Sequence, residues 1–81
     1  MFNNFVVLLQ EQLTPLHICA RMGSVENVQL LLQHNAKVNA ETRDGYTPLH
    51  IAAKEGQEET AAELLENGAD TSVKTAVRIL L

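Results

Sequence analysis

Hydrophobic residues occur in short groups along the chain, and residues that start or stop helices bound each group. One group lies between Thr14 and Gly23, and a second lies between Thr47 and Gly56. In both, a threonine suited to capping a helix precedes a proline at the first helical position, and a glycine follows that can end the helix. Leucine-rich or alanine-rich segments come after each glycine and can present an apolar face. The pattern predicts four helices, at residues 15–22, 25–34, 48–55 and 58–66.

The two groups are copies of one pattern. Thr14 and Thr47 are 33 residues apart, and each begins the sequence Thr-Pro-Leu-His-Ile. When residues 14–41 are aligned with residues 47–74 without gaps, 11 of 28 positions are identical. A gapless period of this length is typical of a stacked repeat array. We therefore expect a first repeat at residues 13–41 and a second at 42–74.

The repeats resemble those of the ankyrin-repeat family. The resemblance rests on the two Thr-Pro-Leu-His boxes, on Asp44-Gly45 and on Gly68-Ala69, and it covers residues 13–75. It implies an all-α solenoid fragment, in which helix–turn–helix pairs are joined by a β-hairpin finger. We call residues 36–46 the finger.

Within that family, the chain is most similar to the repeat arrays of ankyrins, the adaptors that tie membrane proteins to the spectrin cytoskeleton. The similar segments are Leu30–His34, His50–Gln57 (His-Ile-Ala-Ala-Lys-Glu-Gly-Gln) and Glu66–Ala69 (Glu-Asn-Gly-Ala). The resemblance implies a non-catalytic protein–protein interaction module from an ankyrin-type adaptor. The alternative is a repeat segment of a larger signalling enzyme or ion channel.

Both ends of the chain depart from the repeat. Residues 1–12 lack the turn residues and hold the apolar run Phe5–Leu9, which we interpret either as an irregular cap on the stack or as foreign sequence. Residues 75–81 begin a third repeat that is truncated and lacks the Asp-Gly turn. Because about three repeats are usually needed for stability, we expect a fragment of a longer array. The apolar ends, at Phe5–Leu9 and Val77–Leu81, predict end-to-end self-association.

Composition narrows the classes of partner and compartment. The formal net charge is −4, which argues against nucleic acid because proteins that bind it are usually basic on one face. The run Phe5–Leu9 is too short to span a bilayer, so we expect no membrane insertion. The single cysteine, Cys19, cannot form an internal disulfide, which indicates a reducing compartment. We predict a cytoplasmic location, and the resemblance implies association with the membrane cytoskeleton.

The residues with reactive side chains do not form a catalytic or metal-binding pattern. His17 and His50 occupy equivalent positions, with no carboxylate or second cysteine at a fixed spacing from either. In the family this histidine hydrogen-bonds within the turn network, and a structural role is expected here. Cys19 stands where the second repeat has Ala52, so we interpret it as a small core residue. We predict no catalytic residue, no metal site and no cofactor.

Three further features have alternative interpretations. The acidic residues of the second repeat could dock a basic partner, but we favour their interpretation as a solvated helix face; they are Glu55, Glu58, Glu59, Glu63 and Glu66. Glu63 aligns with Leu30, and we expect it to open an apolar face to solvent. Asn39 lies in a context that resembles the asparaginyl-hydroxylation sites of some ankyrin repeats, except that Lys37 replaces an acidic residue.

The candidate binding residues lie at positions that vary between the repeats. In the family, the finger and the first helix of each repeat line a concave surface that binds other proteins. Tyrosine and arginine are enriched at interfaces, and this sequence has both in its finger. We predict a partner-binding surface formed by Arg21, Met22, Glu41, Arg43, Tyr46, Lys54 and Glu55.

Overall fold

The computed structural model describes residues 12–71, which form four α-helices. These are α1 (Pro15–Met22), α2 (Val25–Gln33), α3 (Pro48–Lys54) and α4 (Glu58–Glu66). The four predicted helices and the all-α class are confirmed. Two helices end one residue early, because His34 and Glu55 are the C-terminal caps of α2 and α3. The expected N-terminal cap at residues 1–12 and the truncated third repeat at 75–81 lie outside the described residues, apart from Gln12.

Threonine caps start α1 and α3, as the sequence predicts. Thr14 Oγ1 accepts a hydrogen bond from the His17 amide at 3.3 Å, and Thr47 Oγ1 accepts one from the His50 amide at the same distance. Nδ1 of each histidine in turn accepts a hydrogen bond from the backbone amide of the capping threonine. This reciprocal arrangement is a capping box that uses histidine in place of the usual glutamate. The histidine of each box is therefore part of the helix start.

Left-handed residues turn the chain between helices. Gly23 has a φ of +74° at the end of α1, and a Cβ there would lie 2.4 Å from Gln57 Oε1. Both conditions favour glycine at this position. Asn35 takes a φ of +69° after α2, as expected for an asparagine in place of glycine. The turns return each second helix antiparallel to its first.

The helices form two pairs that stack side by side. Helix α1 packs on α2 and α3 packs on α4, while α1 also contacts α3 and α2 also contacts α4. The core is aliphatic and rich in small residues; its fully buried members are Leu16, Ala20, Val28, Leu49, Ala52, Ala61 and Leu64. Cys19, Leu31 and Leu32 pack against this cluster. The small side chains let the two helix layers approach closely.

The finger is a compact turn centred on Asp44-Gly45. The Thr42 amide donates to the Tyr46 carbonyl at 2.9 Å, and the Gly45 amide donates to the Thr42 carbonyl at 2.9 Å. Gly45 has a φ of +87°, which a residue with a side chain rarely adopts. No β-strand forms within residues 12–71. The expected hairpin is therefore present only as its turn, closed by the hydrogen bond between the Thr42 amide and the Tyr46 carbonyl.

The expectation for Glu63 is wrong. Its counterpart Leu30 is 52% exposed, so the glutamate does not replace a buried aliphatic residue. Glu63 instead accepts hydrogen bonds from Gln29 Nε2 and Asn67 Nδ2, each at 3.1 Å. The residue therefore joins α4 to α2 through polar contacts and opens no apolar surface.

Candidate functional site

The finger and the first helix of each pair enclose a shallow cavity of about 290 Å³. We call this cavity the groove. It is lined by Leu13, Arg21, Thr42, Asp44, Tyr46, His50, Ile51, Lys54 and Glu55. Because α1 and α3 lie side by side, the ends of both helices contribute to one surface.

Four of the seven predicted binding residues line the groove. Arg21 comes from α1, Tyr46 from the finger, and Lys54 and Glu55 from the end of α3. The other three are on the surface but outside the cavity lining: Met22, Glu41 and Arg43 are all exposed, with Met22 71% exposed. The structure thus gathers part of the predicted set into one place.

Five lining residues were missed by the sequence analysis. These are Leu13, Thr42, Asp44, His50 and Ile51. Of these, the sequence analysis had considered only Asp44, as a turn residue, and His50, as a structural residue. One sequence signal could have found Leu13, because it lies 33 residues before Tyr46 and is therefore its equivalent in the first repeat. The other four become part of the groove through the way the finger folds against α3.

The groove combines apolar surface with both signs of charge. Leu13, Ile51 and the ring of Tyr46 provide the apolar part. Arg21 and Lys54 contribute positive charges, while Asp44 and Glu55 contribute negative ones. A binding surface of this type suits a polypeptide with an apolar anchor and flanking polar groups.

Contacts within the chain hold Tyr46 in place. Its carbonyl accepts a hydrogen bond from His17 Nε2 at 2.8 Å, and its amide donates to Thr42 Oγ1 at 3.1 Å. The ring of His50 meets the tyrosine ring edge-on, with centroids 5.7 Å apart and an interplanar angle of 89°. The tyrosine ring remains 42% exposed. Such preorganisation lowers the entropy lost on binding.

The two histidines at equivalent positions of the repeats, His17 and His50, have structural roles. Because Nδ1 of His17 accepts the Thr14 amide proton, Nε2 carries the ring proton of the neutral imidazole and donates it to the Tyr46 carbonyl. This bond ties α1 to the finger of the next helix pair. The expected place of His17 in the turn network is confirmed.

Burial lowers the pKa of both histidines below the ordinary value of 6.5. For His17, hydrogen bonds to the backbone of Tyr46 and Ala40 oppose the desolvation without cancelling it. For His50, the negative charge of Glu41 opposes it. The folded chain therefore favours neutral imidazoles at both positions.

We expect the chain to lose stability as the pH falls below 6.5. The unfolded chain, with ordinary histidine pKa values, binds more protons in this range than the folded chain does, so acid favours unfolding. Well above pH 6.5 both states hold neutral histidines and these groups add no slope. Urea unfolding from about pH 8 to about pH 5 measures the effect. A His17→Ala chain should show a smaller slope, and one that keeps the full slope would contradict the assignment.

Three side chains join the two repeats, each by hydrogen bonds to main-chain atoms of the other repeat. Besides His17, Gln57 Nε2 donates to the Arg21 carbonyl at 3.0 Å. Asn39 Nδ2 donates to the Gly68 carbonyl at 3.2 Å, and Asn39 Oδ1 accepts from the Asp70 amide at 2.8 Å. Both ends of the Asn39 amide are thus engaged, and hydroxylation of this residue stays a prediction from its sequence context.

A family model described as "Ankyrin repeats (3 copies)" matches residues 2–75. The chain belongs to the ankyrin-repeat family. Ankyrin repeats are protein-interaction modules, and their domains are generally non-catalytic.

One relative is a human protein, Ankyrin repeat and protein kinase domain-containing protein 1. It is 46% identical over 39 residues, which is 48% of this chain and 5% of the relative. The chain therefore corresponds to a small part of that protein, and the comparison supports the repeat rather than the activity of the whole relative. Among the described residues, no helix is long and apolar enough to cross a membrane, and no group of three or more His, Cys, Asp or Glu residues could hold a metal ion.

Proposed function

We propose that this chain is a non-catalytic module that binds another protein through the groove. The observation that supports this most directly is Tyr46, a large exposed side chain whose backbone is fixed by His17 and Thr42. Rigid aromatic anchors beside arginine are typical of the residues that dominate interface energies. Met22, Glu41 and Arg43 extend the proposed surface beyond the cavity lining.

The parent of this module is proposed to be an ankyrin-type adaptor in the cytoplasm, linking membrane proteins to the cytoskeleton. The resemblance of His50–Ala69 to ankyrin arrays supports this proposal. Its repeats would occupy residues 13–41 and 42–74. Self-association through Phe5–Leu9 and Val77–Leu81 stays a prediction, since both segments lie outside the described residues.

A second candidate is a repeat segment of a signalling enzyme. The name of the human relative, which joins ankyrin repeats to a protein kinase domain, favours this interpretation over an ion channel. In this case the groove would still bind protein, while catalysis would belong to another domain. Sequence flanking these 81 residues in the parent gene decides between the two.

We expect a double change at the groove to weaken peptide binding without unfolding the chain. The changes are Tyr46→Ala and Arg21→Ala, which remove the aromatic anchor and a flanking charge from exposed positions. Each should cost about 1–2 kcal/mol of binding free energy if it is an anchor. The probe is a peptide selected from a random library against the whole chain, and the measurement is its dissociation constant.

The matched control is Glu59→Ala with Glu66→Ala, both exposed on α4. This pair removes two charges from the outer helix and should leave the dissociation constant nearly unchanged. Amide chemical shifts during the titration should move around Tyr46 and Lys54. If the control pair abolishes binding and the groove pair does not, the acidic helix face is the site.

A further inference from the structure

Each repeat supplies the groove with one apolar and one cationic residue at the same two positions. Leu13 and Tyr46 are 33 residues apart in the sequence, and so are Arg21 and Lys54. All four residues line the cavity. The lining therefore contains two copies of one unit. We call Leu13 with Arg21 the first subsite, and Tyr46 with Lys54 the second subsite.

The cations of the two subsites are exposed and have no ionic partner. Arg21 lies in the last turn of α1, and Lys54 lies in the last turn of α3. Both side chains are exposed, and within residues 12–71 neither forms a salt bridge. The hydrogen bond from Gln57 uses only the main-chain carbonyl of Arg21 and leaves its guanidinium available. A helix C-terminus favours a nearby cation but does not neutralise a full charge, so both cations can still pair with carboxylates.

Helix packing sets the distance between the two subsites. Helices α1 and α3 are the same element of successive repeats, and they pack against each other. Because packed helices lie about 8–10 Å apart, equivalent backbone positions of the subsites recur at about this distance. A polyproline II chain has three residues per turn and advances about 3.1 Å per residue, so every third side chain lies on one face, about 9.3 Å from the last. The period of such a chain matches the period of the groove.

The dimensions of the groove favour an extended ligand over a helical one. An α-helix repeats on one face at this spacing only after seven residues, and with side chains it is about 10–12 Å wide. Two turns of such a helix occupy on the order of 800 Å³, whereas the cavity measures about 290 Å³. The apolar and cationic rows lie about 12 Å apart, the length of the eight-residue helix α1, and an extended chain with its side chains fits between them.

Carboxylates within the groove restrict the charge of the ligand. Asp44 and Glu55 line the same cavity as Arg21 and Lys54. The whole chain also has a formal net charge of −4, so it repels a uniformly acidic peptide. Single carboxylates separated by uncharged residues can meet the two cations without placing further negative charge beside Asp44 and Glu55.

We propose that the groove binds a polyproline II peptide in which a carboxylate and an apolar side chain each recur at every third residue. The carboxylates pair with Arg21 and Lys54, and the apolar side chains pack on Leu13 and Tyr46. The third residue of each unit faces away from both rows and can be proline, which holds the free peptide in the bound conformation and lowers the entropy lost on binding. The inference rests on the proposed function, because it names the ligand of the same groove.

The test compares the dissociation constants of three synthetic peptides for the full chain. The first repeats Glu-Leu-Pro, the second repeats Gln-Leu-Pro, and the third repeats Glu-Leu-Pro-Gly, which moves successive carboxylates to different faces of a polyproline II chain. The first should bind about fivefold or more tightly than each of the others, as two exposed ion pairs would allow. Its advantage over the glutamine peptide should shrink as the salt concentration rises, because salt screens exposed charges.

Charge reversal in the chain tests the pairing itself. Lys54→Glu should weaken binding of the Glu-Leu-Pro peptide by about fivefold or more, because it replaces an attraction with a repulsion. The matched control is Lys37→Glu, the same change at an exposed lysine that does not line the groove, and it should bind that peptide as the unchanged chain does. A chain with both Arg21→Glu and Lys54→Glu should prefer a Lys-Leu-Pro repeat. Circular dichroism checks that each variant stays folded, and the comparison of peptides needs no variant.

The outcomes separate this inference from the proposed function. Equal affinity for the glutamate and glutamine peptides, equal affinity for the Glu-Leu-Pro-Gly peptide, or an equal loss in Lys37→Glu would each overturn the inference. If the library-selected peptide still depends on Tyr46 and Arg21 while the Glu-Leu-Pro peptide shows no advantage, the groove binds protein and only the ligand named here is wrong. If no peptide depends on the groove residues, the proposed function fails as well.

Discussion

Leu64→Ala is expected to destabilise the fold by about 2–5 kcal/mol, enough to unfold much of a chain this small. Leu64 is fully buried in α4, and the cluster around it consists largely of alanine and leucine side chains already in contact. The nine-residue helix α4 cannot fully collapse into the space left by the three lost carbon atoms, so a cavity persists. Urea unfolding monitored by circular dichroism, in dilute solution, measures the change.

Leu65→Ala is the matched control for that experiment. The residue is the next one in the same helix and loses the same atoms, but it is 39% exposed. Its substitution should therefore cost clearly less than that of Leu64. Equal costs for the two leucines would contradict the assignment of Leu64 to the core.

His17→Ala is expected to cost about 2–4 kcal/mol, a large effect for one polar residue. The change removes the Nδ1 acceptor from the start of α1 and leaves the Thr42 amide as the remaining donor to the Tyr46 carbonyl. It also frees the finger from the helix that positions it, so binding at the groove should weaken along with stability. Thermal unfolding and peptide affinity, measured on the same variant, test both consequences.

His34→Ala provides the comparison, since His34 is exposed at the end of α2. A surface substitution of this kind usually changes stability by less than about 0.5 kcal/mol. If His17→Ala and His34→Ala behaved alike, the bond between His17 and Tyr46 would not be the link between α1 and the finger.

The helix limits were predictable because their signals are local. Thr14 and Thr47 cap the helices that follow them, and a cap depends only on residues within one turn. The left-handed turn at Asn35 is likewise determined by its own backbone preference. The 33-residue period then gives the order of the elements without any knowledge of their packing.

The predictions that were wrong or incomplete concern residues whose surroundings depend on contacts between segments distant in sequence. The sequence analysis treated Leu30 as part of a buried face, because an apolar stripe on a helix does not reveal which of its edges a neighbour covers. The residues that line the groove were hard to predict for the same reason. Leu13 and Ile51 line it only because α1 and α3 lie side by side. Whether any of the seven predicted residues binds a partner stays a prediction.

The links between the helix pairs have an evolutionary consequence. His17, Gln57 and Asn39 all bond to main-chain atoms of the other pair, at Tyr46, Arg21, Gly68 and Asp70. A main-chain carbonyl or amide is present whatever side chain the residue carries. Arg21 and Tyr46 can therefore mutate freely without loosening the joint in which their own backbones take part. The side chains at these positions can therefore change during evolution without loss of the hydrogen bonds that join the helix pairs.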